Sequence, residues 1–110
     1  DMMQIEVYGQ QMDVTPALRS YVETRFERLG RRVDKDCEIR VQLALEKPSH
    51  KAIANVNLPG STLHGDALGP DMYAAIDLLV DKLDRLLVKH KEKQTEGRRG
   101  DGLAKSSALD

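Results

Sequence analysis

The sequence predicts an α+β fold in which two helices pack on one face of a four-stranded, mainly antiparallel sheet, in the order β-α-β-β-β-α. Three observations predict it: four segments alternate apolar and polar residues, two segments repeat apolar residues at helical spacing, and turn-forming residues separate most of them. Alternation along a strand indicates one buried face and one solvated face, which is typical of an antiparallel sheet covered by helices on one side.

The N-terminal third predicts a strand followed by a helix. Residues 3–8 alternate apolar and polar side chains and end at Gly9. Thr15 can cap a helix through its hydroxyl group, and Pro16 suits the first helical position because its missing N–H would be unpaired there. Apolar residues then recur at helical spacing, namely Leu18, Val22, Phe26 and Leu29. We therefore expect a helix from about residue 16 to residue 30.

The middle of the chain predicts three more strands. Residues 38–46, 51–58 and 62–68 alternate, and turns are expected at 48–50 and 59–61, where Pro, Gly and Ser residues cluster. Because a helix separates the first strand from the second, no tight turn can join those two strands.

A second helix is predicted to begin near Asp71, whose negative charge favours a helix N-terminus. Its apolar stripe consists of Met72, Ile76, Leu79, Leu83, Leu86 and Leu87. The stripe continues to about residue 93 and ends at Gln94, after which three glycines lie among charged residues. We expect one domain at residues 1–94 and a disordered tail at residues 95–110.

Composition limits the functional classes. The chain has 110 residues and a net charge of −1, without the strongly basic balance of a typical nucleic-acid binder. No apolar run approaches the ~18 residues that span a bilayer, and no secretory signal is visible at the start. The single cysteine, Cys37, fits a reducing cytosol, and we expect it to be a half-buried structural side chain.

No constellation of catalytic or metal-ligating residues stands out. His50, His64 and His90 match no metal-ligand spacing, and no Ser–His–Asp order, phosphate loop or carboxylate pair is present. We therefore expect no enzyme activity, no cofactor, no metal and no small-molecule substrate.

The charges on the two helices are segregated. At ~100° per residue, the second helix divides into an apolar, an acidic and a basic sector. The acidic sector consists of Asp77, Asp81 and Asp84, and the basic sector of Lys82, Arg85, Lys89 and Lys93. On the first helix the basic row consists of Arg25, Arg28 and Arg32. One interpretation is solvated helix faces with ion pairs within each helix; the other is rows of cations that contact nucleic-acid phosphates.

Several blocks resemble the ribosome hibernation promoting factor and protein Y family, also described as ribosome-associated sigma-54 modulation proteins. The resemblance covers about residues 3–93 in order. Its blocks are MQIEVYG at 3–9, VTPALR at 14–19, Glu46-Lys47 before the turn at His50, DMYAAID at 71–77, DKL at 81–83 and KHK at 89–91.

The resemblance implies the same fold and a short-form, cytoplasmic hibernation factor. Such a factor binds the small ribosomal subunit in the mRNA and tRNA channel, inhibits translation, and promotes inactive ribosome dimers under stress or in stationary phase, together with a second modulation factor. Basic side chains of both helices contact ribosomal RNA in the family. The corresponding positions here are Arg25, Arg28, Lys82, Arg85, Lys89, Lys91 and Lys93, to which the basic row adds Arg32. We expect Asp71 to cap its helix and Tyr73 to be a packing residue.

A second hypothesis comes from a different class of function. The acidic sector of the second helix could bind another protein, and the chain would then be an interaction module that modulates a transcription factor. Binding through phosphates weakens steeply as salt rises. Binding that survives high salt, and that is lost on substitution of Asp77, Asp81 and Asp84 rather than of the cations, would favour the second hypothesis.

Overall fold

The computed structural model describes residues 3–33 and 37–108, and the side chains of residues 3–33 and 37–93. The elements follow the predicted order and confirm the β-α-β-β-β-α fold. They are β1 (Gln4–Gln10), α1 (Pro16–Phe26), a 3-10 helix (Glu27–Arg31), β2 (Glu38–Glu46), β3 (Ser49–Leu58), β4 (Ser61–Gly69) and α2 (Met72–Ala108). Because α2 continues past residue 93, where the apolar stripe ends, the assignment of residues 95–110 to a separate disordered tail stays a prediction.

The sheet is mixed, with the strand order β1-β2-β3-β4. β1 and β2 are parallel, from Gln4 opposite Glu38 to Gln10 opposite Ala44, and α1 forms the crossover between them. β2–β3 and β3–β4 are antiparallel pairs joined by short turns. Two of the three pairings are therefore antiparallel, as the strand pattern predicts.

One hydrophobic core lies between the helices and the sheet. The apolar strand residues that face the helices alternate with mainly polar residues on the opposite, uncovered face, which explains the period of two. The largest fully buried side chains of this core are Val22, Phe26, Leu29, Ile39, Val41, Leu43, Val56, Ile76, Leu79, Leu83 and Leu87. No polar or charged residue in the described part is classed as buried, so apolar burial stabilises the core.

Both helices begin where the sequence predicts. The Leu18 N–H donates to Thr15 Oγ1 at 3.1 Å, and the Ala74 N–H donates to Asp71 Oδ1 at 2.8 Å. The first helix differs from expectation at its other end, because α1 stops at Phe26 and tightens into the 3-10 helix. Such tightening is common at helix C-termini, and Gly30 disfavours a further α-helical turn.

Gly65 allows α2 to pack directly on β4. A Cβ atom at Gly65 would lie 2.9 Å from Leu83 Cδ2 and 3.6 Å from Leu79 Cδ1. The distance to Leu83 is shorter than a Cβ atom normally keeps from a side chain. The glycine therefore sets the separation between the helix and the edge strand of the sheet.

Two smaller features differ from the sequence interpretation. Cys37 is buried, with 2% of its surface exposed, rather than half-buried, because it immediately precedes β2 and lies under the helical layer. β3 begins at Ser49, two residues earlier than predicted, so the turn between β2 and β3 is confined to Lys47 and Pro48. Among the described helices, none has the length and apolar character needed to cross a membrane.

Candidate nucleic-acid interface

The basic residues predicted from the sequence lie on the outer surface of the helical layer. α2 packs on β3 and β4, and α1 lies beside α2 and contacts β1. Both helices are amphipathic, so their apolar stripes face the sheet and their charged sectors face solvent or the neighbouring helix.

The arginine row of the first helical segment pairs with the acidic sector of α2. Arg25 Nε lies 3.1 Å from Asp77 Oδ1, Arg28 Nη2 lies 2.7 Å from Asp81 Oδ1, and Arg32 Nε lies 2.6 Å from Asp84 Oδ1. We call these three pairs the arginine–aspartate ladder. Residue numbers rise together along both sides, so the two helices run in the same direction.

The ladder differs from the ion pairs that sequence spacing suggested. The sequence indicated pairs within each helix, whereas the arginines pair across the helix interface. A signal for the ladder was present in the sequence. Both rows span eight residues, with the cations at positions 25, 28 and 32 and the acids at positions 77, 81 and 84.

Two tyrosines reinforce the first pair of the ladder. The Tyr21 hydroxyl group lies 2.8 Å and 2.9 Å from the two Asp77 oxygens and donates to this carboxylate. The Arg25 guanidinium lies 4.9 Å from the centre of the Tyr21 ring, a cation–π contact. Tyr73 packs edge-on against Tyr21 with ring centres 4.8 Å apart, which is the packing role expected of it.

The ladder also favours the charged forms of its arginines. Interaction with the Tyr21 side chain, and then with the Asp77 carboxylate, raises the pKa of Arg25 above its ordinary value. The hydrogen bond to Asp81 raises the pKa of Arg28. Both interactions therefore favour the cationic form that a guanidinium group already has at neutral pH.

Lys82 connects α2 to the edge of the sheet. Its Nζ donates to the Asp66 carbonyl oxygen at 2.8 Å and lies 3.7 Å from Asp66 Oδ1. β4 is an edge strand, and this contact satisfies one of its outward-facing carbonyl groups. Lys82 thus has a structural partner and is still about half exposed, at 47%.

Three cations of α2 have no such partner among the side chains that the structure describes. Arg85, Lys89 and Lys93 are exposed and follow one another at intervals of four residues. None forms a hydrogen bond or ion pair with the side chains described at residues 3–33 and 37–93. We call these residues the free basic row. Lys91 is also exposed but falls on another side of the helix and has an interaction of its own.

The ladder and the free basic row are consecutive along α2. The aspartates of the ladder lie at positions 77–84, beside the arginines, and the free basic row follows at positions 85–93 in another sector of the helix. The sequence analysis predicted both basic rows but not that the acids pair with the arginines.

The opposite face of the sheet is uncovered by helices and mainly polar, and it also carries Tyr8, Ile53 and Leu68. Neighbouring strands pair there through Gln42 Nε2 and Gln10 Oε1 at 2.6 Å, and through His64 Nδ1 and Asn55 Oδ1 at 2.7 Å. No group of three or more metal-ligating side chains occurs among the residues that the structure describes.

Comparison with known proteins identifies the family. The family model described as Sigma 54 modulation protein / S30EA ribosomal protein matches residues 5–95. A ribosome hibernation promoting factor from Azotobacter vinelandii is 48% identical over 98 residues, which cover 89% of this chain and 92% of that protein. A ribosome hibernation promoting factor from Escherichia coli K12 is 42% identical over 91 residues, covering 83% of this chain and 96% of that protein.

Two solved structures share the fold. A ribosomal subunit interface protein from Coxiella burnetii superimposes with a TM-score of 0.73 at 35% identity, covering 83% of this chain and 99% of that one. The N-terminal domain of Thermus thermophilus Protein Y gives a TM-score of 0.73 at 32% identity, covering 81% and 99%. The chain therefore belongs to the Sigma 54 modulation protein / S30EA ribosomal protein family, as its sequence blocks predict.

Proposed function

We propose that this chain is a non-enzymatic ribosome hibernation factor. It binds the small ribosomal subunit through ribosomal RNA in the mRNA and tRNA channel, inhibits translation, and promotes formation of inactive ribosome dimers under stress or in stationary phase. The observation that carries the proposal is the free basic row on α2, in a chain that is 48% identical to a hibernation promoting factor.

The geometry of the free basic row suits a phosphate backbone. Four residues of α-helix rise about 6 Å, so three cations spaced by four residues cover about 12 Å along the helix. Each cation that replaces counterions on RNA adds a favourable contribution that depends on salt but not on sequence. A net charge of −1 is compatible with such binding because the cations are concentrated on one surface.

The ladder arginines and Lys82 extend this surface. The side chains of Arg25, Arg28 and Arg32 are 50%, 51% and 42% exposed, and one nitrogen of each forms the ion pair. Since a guanidinium group carries five N–H donors, others remain for a phosphate. We assign the RNA contacts to both helices: Arg25, Arg28, Arg32, Lys82, Arg85, Lys89, Lys91 and Lys93.

The cellular setting follows from the same proposal. The chain acts in the cytoplasm, its partners are the small subunit, its RNA and a second modulation factor on the ribosome, and it uses neither a small-molecule substrate nor a membrane. The second hypothesis, a protein-interaction module, rested on the acidic sector of α2. The aspartates of that sector pair with Arg25, Arg28 and Arg32, so the structure gives this hypothesis no added support.

Co-sedimentation with purified small subunits tests the proposal. We would compare the wild type with the variant Arg85→Gln/Lys89→Gln/Lys93→Gln, which removes the free basic row without breaking a described contact. The wild type should sediment with the subunits at low salt, and the variant should remain in the supernatant.

A matched control removes three cations elsewhere. The variant Arg40→Gln/Lys47→Gln/Lys51→Gln makes the same charge change on the uncovered face of the sheet and its adjoining turn. It should sediment like the wild type. Equal loss of binding in both variants, or no binding by the wild type, would contradict the proposed docking surface.

A further inference from the structure

We propose that the free edge of β1 and the groove beside it form a docking site for another protein. The segment that fits is an extended peptide in which lysine or arginine alternates with apolar residues, and it adds a fifth strand to the sheet. The site lies on the side of α1 that faces away from α2. The inference goes beyond the proposed function and does not depend on it.

The backbone of β1 has hydrogen-bonding groups at the outer edge of the sheet. In the sheet that the structure describes, β1 is the first of four strands and pairs with β2. The Gln4 N–H donates to the Cys37 carbonyl oxygen at 3.0 Å, and peptide groups alternate in direction along a strand. The N–H and C=O groups of Ile5 and Val7 therefore point away from β2, where an added strand can pair with them. At the opposite edge, Lys82 donates to a carbonyl group of β4.

A groove of about 440 Å³ lies beside this edge, between β1 and the first helical segment. Its floor is apolar and contains Met3 and Ile5, which are partly buried. Its rim is acidic and consists of Glu23 and Glu27. A Cβ atom at Gly30 would meet no other part of the chain within 4 Å, so the groove is open at this end. Long cationic side chains match such a surface, because their apolar stems cover the floor while their charged heads reach the rim.

The rim glutamates are available to a cationic partner. The apolar stripe of the first helical segment separates two flanks, with the ladder arginines on the flank beside α2 and the rim glutamates on the other. Neither rim side chain forms an ion pair or hydrogen bond with the side chains described at residues 3–33 and 37–93. Arg19 and Arg31 lie about one turn beyond the rim and do not line the groove. The charge of the groove therefore favours a basic peptide and disfavours RNA.

The same charges make a second copy of this chain a poor occupant. Joining β1 to another β1 about a twofold axis would make the two first helices antiparallel across the new edge. In a pair centred on the groove, the rim glutamates of one copy would face those of the other. Like charges placed opposite one another disfavour such a contact, whereas lysine or arginine opposite the rim favours it.

Fluorescence polarisation with synthetic peptides tests the site. The probe is a labelled peptide of alternating lysine and valine, titrated with the full chain. One control peptide has the same composition but groups the lysines at one end. A second is N-methylated along its backbone, so it keeps its charge but cannot pair as a strand. We expect the alternating peptide to bind at least tenfold more tightly than either control.

Three variants locate the binding. Glu23→Gln/Glu27→Gln neutralises the rim and should weaken peptide binding about three- to tenfold, as expected for two exposed ion pairs. Gly30→Leu places a side chain at the open end of the groove and should weaken it at least tenfold. The matched control, Glu46→Gln/Glu92→Gln, makes the same change in net charge at two exposed acids outside the groove and should stay within about twofold of the wild type.

Amide hydrogen exchange identifies the strand that pairs. The Ile5 and Val7 N–H groups should exchange fast in the free protein and become protected when the alternating peptide binds. Equal binding of the three peptides, equal weakening by both glutamine variants, or protection that omits these two amides overturns the inference. Protection that rises with protein concentration in the absence of peptide assigns the edge to a second copy and overturns it too. Since no ribosome takes part, such failure leaves the proposed function standing.

Discussion

Replacing Gly65 with valine should separate α2 from the sheet. The Cβ alone would lie 2.9 Å from Leu83 Cδ2, and the two further methyl groups would extend into the layer formed by Leu79 and Leu83, which have no exposed surface. Overpacking of a core in this way costs about 1–3 kcal/mol of the free energy of unfolding. For a domain of this size each kcal/mol lowers Tm by about 4–8 °C, so a decrease of about 5–20 °C is expected.

Urea denaturation followed by circular dichroism measures this effect. The matched control, Leu68→Val, places the same side chain on the same strand but on the exposed face, and should change stability by less than about 0.5 kcal/mol. Leu83→Ala alone should cost about 2–5 kcal/mol because it opens a cavity. Since valine at position 65 would fill part of that cavity, the double variant should be more stable than the sum of the two single changes predicts.

The result that would refute this reasoning is specific. If Gly65→Val unfolds at the same urea concentration as the wild type, or if its cost adds simply to that of Leu83→Ala, the helix does not pack on β4 through this glycine.

Three further outcomes follow from the same structure. Thr15→Ala should lower stability by about 1 kcal/mol in urea denaturation, since it removes the acceptor of the Leu18 N–H; an unchanged midpoint would argue against the cap. The Cys37 thiol should react with a thiol reagent at the rate of global or local unfolding, and immediate labelling of the native protein would contradict its burial. The variant that neutralises the free basic row (Arg85, Lys89 and Lys93) should flatten the dependence of poly(U) affinity on log salt by about 2, and an unchanged slope would place the phosphate contacts elsewhere.

The sequence predicts the fold well because the relevant signals are local. Alternation identifies four strands, and Thr15 and Asp71 mark the starts of both helices through caps that need only the neighbouring backbone. The sequence excluded a tight turn between β1 and β2 but did not assign a partner to β1; in the structure the two strands pair in parallel, with α1 in the crossover.

The site is only partly predictable for a physical reason. A helical wheel gives the direction of each charged residue around its own axis, so both basic rows could be identified from the sequence. The rotation and alignment of the two helices on the sheet decide whether Arg28 lies in solvent, lies beside Arg85 or forms an ion pair with Asp81. That alignment is set by core packing, including the close approach at Gly65, which no local pattern reveals.

The central claim is that this chain occupies the mRNA and tRNA channel of the small subunit, and competition at that site tests it most directly. Purified small subunits would be loaded with labelled mRNA and tRNA and titrated with the wild-type protein or with the variant that neutralises the free basic row. The account predicts that the wild type displaces the labelled RNAs with competitive kinetics and that the variant needs at least tenfold more protein. If the protein and both RNAs bind the same subunits together, the protein binds elsewhere on the ribosome and the account is wrong.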